Sequence, residues 1–374
     1  MRIIDAHCHV SMIGQVSTMA DADSLKMIMD HCGYEHACIQ TITYFKDRNL
    51  NRNPLSLMLK AENPDFFYIF GGIRYPRPGD QDHGDFAGEA GRLWQMGFDG
   101  LKLFAKPTVQ GEFKLPLDAP PFRAVYQFCQ EHDWPILFHV GDPATFWNRA
   151  TIPDWAMANG WYYGEGDFPS YDEQYEQCER FLAAYPRLKI VFPHFYFMAD
   201  DLERLSRLMR QRKNMMIDIT PGSELYFHLS AYPDRARAFF IEFADRILYG
   251  TDTMGDGIHP KEAIAYRLET KQRICRFLET DESFAWNGLD PAIHGIQLPA
   301  DVLDKIYRQN FLSLVEARPR RLNRQAVLQA CRNWYGLAAT SEDQQEINLR
   351  EFRCVMQRID EALRDESAPA RQRE

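Results

Sequence analysis

Two histidines near the start of the chain have the spacing of a metal-binding pair. His7 and His9 lie in the segment Ile3-Ile4-Asp5-Ala6-His7-Cys8-His9-Val10, whose β-branched apolar residues are typical of a buried strand. Side chains alternate between the two faces of a strand, so Asp5, His7 and His9 point to one side and Cys8 points to the other. Two imidazoles on a rigid strand can bind one metal ion together, although a lone His-x-His pair also arises by chance.

Other polar side chains occur within or at the end of apolar runs further along the chain. They are Lys102, His139, His194 and Asp252. A single buried histidine is often a packing residue, and for His194 taken alone that interpretation is the stronger one. Buried polar groups need partners, however, and one metal ion supplies a partner for several of them at once. The whole set therefore favours a metal site over a collection of structural residues.

Short apolar runs alternate with amphipathic stretches, and this alternation defines the elements that must position the polar residues. Eight runs are typical of strands, at residues 3–10, 37–42, 66–73, 100–104, 135–140, 188–194, 215–219 and 246–252. Eight strand–helix units predict an α/β protein with a (β/α)8 TIM barrel. A doubly wound open sheet is the alternative, but no Gly-x-Gly-x-x-Gly motif follows the first strand. In a barrel the carboxyl ends of the strands form the active-site face, so we expect the polar residues to meet there.

The length of 374 residues suits one barrel followed by additional helices. We expect the barrel to cover residues 1–315 and a C-terminal helical extension to cover residues 316–374, packed on or beside the barrel. Helices beyond the eighth strand are expected at residues 261–278, 300–315, 321–334 and 341–363.

The composition restricts the partners and the compartment. A formal net charge of −10 argues against general nucleic-acid binding, which favours basic patches. No apolar run approaches the ~18–20 residues that span a bilayer, and we expect no signal segment before the first strand. The eight cysteines are scattered without a C-x-x-C pair, which favours reduced thiols and a cytoplasmic location. We therefore expect a small-molecule substrate, with neither nucleic acid nor membrane as a partner.

A long segment rich in aromatic residues, 141–170, follows the fifth predicted strand. Long loops at this end of a barrel often cover the active site, so we expect a lid or a wall there. The same segment and the C-terminal helices can instead form an oligomer contact. A homodimer is the weakest of the expectations about partners.

The ordered set of segments resembles the amidohydrolase superfamily, and within it the amidohydrolase-related family. That family includes metal-dependent hydrolases and enzymes of the aminocarboxymuconate-semialdehyde decarboxylase type. The matching segments are residues 5–9, 97–103, 135–141, 185–194 and 247–252, with Asn310-Phe311 similar to the family's closing segment. Each segment alone is a modest match, whereas the ordered set runs through most of the barrel and is specific.

The resemblance implies a role for most of the polar residues. It implies that His7, His9, His139 and Asp252 bind a divalent metal ion. It also implies that His194 is a catalytic residue beside the metal-bound water. Imidazoles and a carboxylate suit Zn²⁺, which is the first choice, with Mn²⁺ as the alternative. Such an ion lowers the pKa of its water towards ~7, and Asp252 is the candidate catalytic group that takes the proton.

Two further residues are candidates for substrate binding. Some superfamily members carry a carboxylated lysine that bridges two metals at the position of Lys102, but binding of a substrate carboxylate is the favoured role. A third interpretation is that Lys102 extends to solvent or pairs with an acid such as Asp5. Arg74 follows the third predicted strand and could hold an anionic substrate by a bidentate contact, although a solvated loop arginine is equally common.

The resemblance leaves two reactions open. The first is hydrolysis of an ester, lactone or amide carbonyl of a small molecule by metal-activated water. The second is non-oxidative decarboxylation of an aromatic or muconate-like acid. The same ligands serve both, and the Gly-x-x-Gly-Leu-Lys-Leu segment around Lys102 slightly favours the hydrolase. A non-catalytic binding protein is a third hypothesis, against which the complete ligand set argues. Metal analysis of the purified protein separates the two enzyme hypotheses from the third.

Overall fold

The computed structural model describes residues 1–11, 16–43, 50–76, 84–222, 224–286, 289–340 and 348–367. Within these residues, nine short parallel strands form one sheet. They are β1 (Ile4–His9), β2 (His36–Gln40), β3 (Phe67–Gly72), β4 (Gly100–Ala105), β5 (Ile136–Val140), β6 (Ile190–Phe192), β7 (Met215–Asp218), β8 (Ile247–Leu248) and β9 (Thr253–Met254). Consecutive strands from β1 to β8 are neighbours in the sheet, as repeated strand–helix units require.

The last strand of the barrel is interrupted and forms two segments. β8 pairs with β7, whereas β9 pairs with β1. The amide of Ala6 also donates to the carbonyl of Tyr249 at 3.0 Å. The sheet therefore closes on itself, which confirms the predicted (β/α)8 barrel. The prediction of one continuous strand over 246–252 is wrong, because β8 ends at Leu248 and β9 begins at Thr253. Asp252, between them, has a left-handed backbone with φ 54°, which a strand does not accommodate.

Helices cover the outside of the barrel. They are α1 (Met19–Cys32), α2 (Arg52–Glu62), α3 (Phe86–Met96), α4 (Pro107–Phe113), α5 (Pro120–Glu131), α6 (Asp154–Ala158), α7 (Tyr171–Ala184), α8 (Leu202–Gln211), α9 (Leu225–Ala231), α10 (Pro233–Glu242), α11 (Pro260–Glu279), α12 (Ala300–Asp304), α13 (Asn310–Leu314), α14 (Arg324–Thr340) and α15 (Leu349–Ser367). Gly97 ends α3 in the left-handed conformation with φ 97°, where a Cβ atom would meet the Arg321 carbonyl oxygen.

Apolar side chains fill the inside of the barrel at the amino-terminal ends of the strands. They include Ile4, Ala6, Cys38, Tyr68, Phe70, Leu137, Val191, Met216 and Leu248. Phe311 of α13 packs edge to face on Tyr68, with ring centroids 5.0 Å apart, and closes this end of the interior. The opposite end, at the carboxyl ends of the strands, is left for the polar residues.

A two-stranded hairpin follows α11 and was not predicted from the sequence. It consists of β10 (Ser283–Trp286) and β11 (Leu289–His294), which pair in antiparallel fashion. The ring of Trp286 stacks on Tyr226 of α9, with centroids 4.7 Å apart. The hairpin therefore packs against the helix that follows β7.

The C-terminal helices pack on the outer side of the barrel. Arg358 of α15 forms ion pairs with Asp23 of α1 at 2.8 Å and with Glu62 of α2 at 2.7 Å. Residues 341–347 of the predicted helix 341–363 lie outside the described residues. The assignment of residues 316–374 as a separate unit stays a prediction. In the described part of the chain, no helix has the length and apolar character needed to cross a membrane.

Candidate metal centre

Three side chains converge where the first and last strands of the barrel meet. The Nε2 atoms of His7 and His9 lie 3.1 Å apart. The Oδ1 atom of Asp252 lies 3.0 Å from Nε2 of His9 and 3.8 Å from Nε2 of His7. The potential ligand atoms of these three residues all lie within 4.8 Å of one another. The alternation of β1 explains the arrangement, since it turns both imidazoles inward and the Cys8 thiol towards the Cys38 carbonyl.

The outer nitrogens of both imidazoles are already engaged. Nδ1 of His9 lies 2.5 Å from the Gln40 carbonyl oxygen, which can only accept, so this nitrogen carries the proton. Nδ1 of His7 lies 2.9 Å from the carboxylate of Asp218. A neutral imidazole protonated at Nδ1 has a lone pair at Nε2, so two lone pairs face each other beside the carboxylate of Asp252. A bound cation would remove this repulsion, and the residues therefore fit a metal ion.

His139 and His194 extend the cluster of imidazoles. The ring of His194 lies 5.5 Å from the ring of His7 and 5.0 Å from the ring of His139. Among the described residues, Nε2 of His139 and Nδ1 of His194 have no hydrogen-bond partner, although both atoms are buried. Neither residue belongs to the tight group of three, but each adds a buried, unpaired nitrogen to the same cluster of rings.

Burial favours the neutral form of three of the imidazoles, those of His7, His139 and His194. It lowers the pKa of His7 and of His139 well below the ordinary value, with added contributions from positive charges that include Lys102. The pKa of His194 is also lowered, chiefly by burial. The neutral form is the one that binds a metal ion.

His194 lies in a left-handed turn that the sequence did not predict. The predicted strand 188–194 ends earlier, at Phe192, and the four residues His194–Phe197 all have φ between 52° and 58°. Each such non-glycine residue costs about 1–2 kcal/mol, so the surrounding packing must hold the turn. The hydroxyl of Tyr175 donates to the carbonyl of Tyr196 at 3.1 Å, and the ring of Phe197 stacks on His194 at 5.2 Å. Strain of this kind is often concentrated at functional sites.

Lys102 points into the barrel from β4 and is almost completely buried. Its Nζ atom has no hydrogen-bond partner in the part of the chain that the structure describes. Burial lowers its pKa to about 7, although the negative charges of Asp218 and Asp252 act in the opposite direction. The third interpretation is wrong in both forms, because Lys102 is buried away from solvent and its Nζ makes no hydrogen bond with Asp5. The Asp5 carboxylate instead accepts hydrogen bonds from the hydroxyl of Thr251 and from the amides of Thr251 and His7.

Arg74 is not brought into this cluster. Its guanidinium donates to Oε1 of Glu89 at 3.0 Å and 2.7 Å, and its amide donates to Oε2 of the same residue at 2.8 Å. These bonds hold the side chain against α3. Its predicted role in substrate binding stays a prediction, and an anionic substrate would have to compete with Glu89 for it.

Asp218 is a site residue that the sequence analysis missed. It ends the apolar run of β7, so it carried the same signal as the polar residues that end other strands. Its carboxylate accepts from the amides of His194 at 2.8 Å and Thr220 at 3.0 Å, and it also contacts Nδ1 of His7. One buried carboxylate therefore orients the imidazole of His7 and holds the backbone of His194.

A comparison with protein families identifies the chain. A family model described as Amidohydrolase matches residues 56–310, which is more than half of the chain. The chain belongs to the amidohydrolase family. Members of this family are enzymes, so this amidohydrolase is an enzyme as well. The match begins within α2, so it includes His139, His194 and Asp252, whereas His7 and His9 lie before it.

Solved structures similar to this amidohydrolase share its fold. One is assigned as an amidohydrolase from Staphylococcus aureus, with a TM-score of 0.53 and 15% identity over 84% of this chain and 99% of that chain. Another is a dihydroxybenzoic acid decarboxylase from Polaromonas sp. JS666 with bound manganese and 2-nitroresorcinol, with a TM-score of 0.50 and 15% identity over 84% of this chain and 96% of that chain. A comparison with curated proteins found no match.

Proposed function

We propose that this amidohydrolase is a metal-dependent hydrolase that acts on an ester, lactone or amide carbonyl of a small molecule. His7, His9 and Asp252 hold a divalent ion, and His139 is a further ligand. The supporting observation is the approach of two imidazole lone pairs to 3.1 Å beside a carboxylate. Zn²⁺ is the preferred ion because neutral imidazoles and carboxylates are its usual ligands. Mn²⁺ is the alternative, and the similar Polaromonas decarboxylase binds manganese.

The residues around the ligands can divide the work of hydrolysis. A divalent ion bound there would lower the pKa of a water ligand towards neutrality. Asp252 is the least buried of the three converging residues, and it can accept a proton from that water and return it to the leaving group. The unpartnered Nδ1 of His194 can hydrogen-bond the water or the substrate carbonyl. The ammonium group of Lys102 can stabilise negative charge that develops on the substrate.

Metal removal and restoration test the proposal. The protein is stripped with a chelator, reloaded with Zn²⁺ or Mn²⁺, and assayed against a panel of small esters, lactones and amides. We expect about one ion per chain to bind and hydrolysis to depend on it. A protein that binds neither ion and hydrolyses no member of the panel would contradict the proposal and favour a non-catalytic binding role.

Lys102 gives the decarboxylase alternative a specific basis. Decarboxylation needs a proton delivered to carbon, and a buried, unpartnered lysine with a pKa lowered to about 7 is a suitable donor. We expect Lys102→Met to lower turnover about 10²- to 10⁴-fold if this proton transfer is required, with a smaller loss if Lys102 only binds substrate. Release of CO₂ from hydroxybenzoates by the metal-loaded protein would favour decarboxylation over hydrolysis.

Asp218→Asn is expected to weaken metal binding by about 10- to 100-fold, because the carboxylate that orients His7 is lost. The measurement is a competition titration of Zn²⁺ against a chelator of known affinity. Asp245→Asn is the matched control, since its side chain is 72% exposed and contacts only Arg246 among the ion pairs of the described residues. Equal affinities of the two variants would show that Asp218 does not support the metal site.

A further inference from the structure

A second charged cluster lies beside the imidazoles, between the end of β4 and the aromatic segment 141–170. The Nζ atom of Lys106 lies 3.5 Å from the centroid of the Trp161 ring and 3.5 Å from Oδ2 of Asp142. The hydroxyl of Tyr163 donates to the same Oδ2 atom at 2.6 Å. Segment 141–170 thus contributes two side chains that contact the ammonium group, Asp142 and Trp161, and a third, Tyr163, that holds Asp142 in place.

Burial makes this ammonium group unusual. Lys106 is 7% exposed and Asp142 is 6% exposed, so neither charge is well hydrated. The ion pair between them is long at 3.5 Å, and the face of Trp161 attracts the cation without accepting a normal hydrogen bond. An ammonium group has three N–H donors, and a long ion pair with one carboxylate leaves it incompletely coordinated. It can therefore accept a further anionic partner.

The cluster lies at the mouth of the barrel. Lys106 follows Ala105 at the end of β4, and Ala105 pairs with Val140 at the end of β5, two residues before Asp142. His139 precedes Val140 on the same strand. Lys106 therefore lies near His139, the proposed further metal ligand, on the side where the aromatic segment leaves β5.

We propose that Lys106 is a specificity-determining residue that binds an anionic group of the substrate, separate from the carbonyl that reacts at the metal centre. The proposal rests on the proposed function for the position of the reacting group. A substrate carboxylate joins Asp142 as a second partner of Lys106, while the hydroxyl of Tyr163 keeps Asp142 hydrogen-bonded. Trp161 continues to cover the ammonium group, so that segment 141–170 forms one wall of this anion site.

Equilibrium binding of simple acids tests this proposal without requiring turnover. The probes are succinate, glutarate and adipate, each compared with the monocarboxylate of the same length, namely butyrate, valerate and hexanoate. Dissociation constants are measured by calorimetry with the Zn²⁺-loaded protein. We expect at least one dicarboxylate to bind about ten-fold more tightly than its monocarboxylate, as a second charge-assisted contact predicts.

Three variants assign this preference to Lys106. Lys106→Gln removes the charge, so the dicarboxylate and its monocarboxylate should bind with about equal affinity. Lys106→Arg keeps the charge and should retain the preference for the dicarboxylate. Lys114→Met is the matched control, because Lys114 also follows β4 and pairs with Asp167 of the same segment, but at an exposed position. Its preference should equal that of the unmodified protein.

The outcomes separate the two proposals. A preference for dicarboxylates that survives in Lys106→Gln, or that is absent from the unmodified protein, would overturn the assignment of Lys106. Failure of the hydrolase proposal would appear instead as a lack of hydrolysis by the Zn²⁺-loaded protein, with no bearing on the ratio of binding constants. If Lys106→Gln fails to fold, Lys106→Met takes its place. The proposal then requires that Lys106→Met lose the preference for dicarboxylates and that Lys106→Arg retain it.

Discussion

Asp252→Asn is expected to lower turnover of the metal-loaded protein by about 10²- to 10⁴-fold while the barrel stays folded. Asparagine has nearly the same size and tolerates the left-handed backbone that Asp252 adopts, so the substitution adds little strain. It removes the negative charge beside His7 and His9, however, and it cannot accept a proton from water. Both losses act on the proposed chemistry rather than on the packing of the strands, because the active-site face contributes little to barrel stability.

The measurement combines kcat on the best substrate of the hydrolysis panel with the metal content of each preparation. Asp256→Asn is the control, since Asp256 lies two residues beyond β9 and accepts from the amides of Ile258 and His259. It should keep its metal and its turnover. His139→Ala tests the further ligand in the same assay and should also lose activity. Unchanged metal content and turnover in both Asp252→Asn and His139→Ala would mean that the site has been assigned to the wrong residues.

The part of the site that could be predicted from sequence depends on strand periodicity. The alternation of side chains on β1 was sufficient to predict that His7 and His9 share one face. The position of Asp252 at the end of the eighth apolar run was sufficient to predict that it lies near them. Both inferences need only the geometry of a strand and the order of strands in a barrel. The structure bears out this convergence.

The remaining features depend on contacts between residues distant in sequence. The left-handed turn at His194–Phe197 contains no glycine, so no local signal marked it. The pairing of Arg74 with Glu89 depends on the position of α3 relative to β3. Lys106 and Asp142 meet only because β4 and β5 are neighbours. Such pairs can be identified only from the tertiary structure, whereas the convergence of the strand-end residues can be predicted from the order of the strands alone.

Lys60→Met is expected to destabilise the protein by about 3–5 kcal/mol, because it leaves a buried carboxylate without its counter-charge. Lys60 of α2 donates to Asp99 at 2.5 Å and to the carbonyl of Gly97 at 3.0 Å, and the side chains of both members of the ion pair are 1% exposed. Asp99 also accepts from the amides of Ile69 and Arg320, each at 2.8 Å. The carboxylate therefore joins α2, β3 and the segment that leads to α14, far along the chain.

The measurement is the free energy of unfolding in urea at a fixed metal concentration. Lys26→Met is the matched control, because Lys26 pairs with Asp30 on one exposed face of α1, with side chains that are 26% and 54% exposed. That pair should contribute at most about 0.5 kcal/mol. Metal affinity should be unchanged in both variants, since neither lysine lies near the imidazoles. A loss for Lys60→Met no larger than that for Lys26→Met would show that the buried ion pair does not hold the C-terminal segment to the barrel.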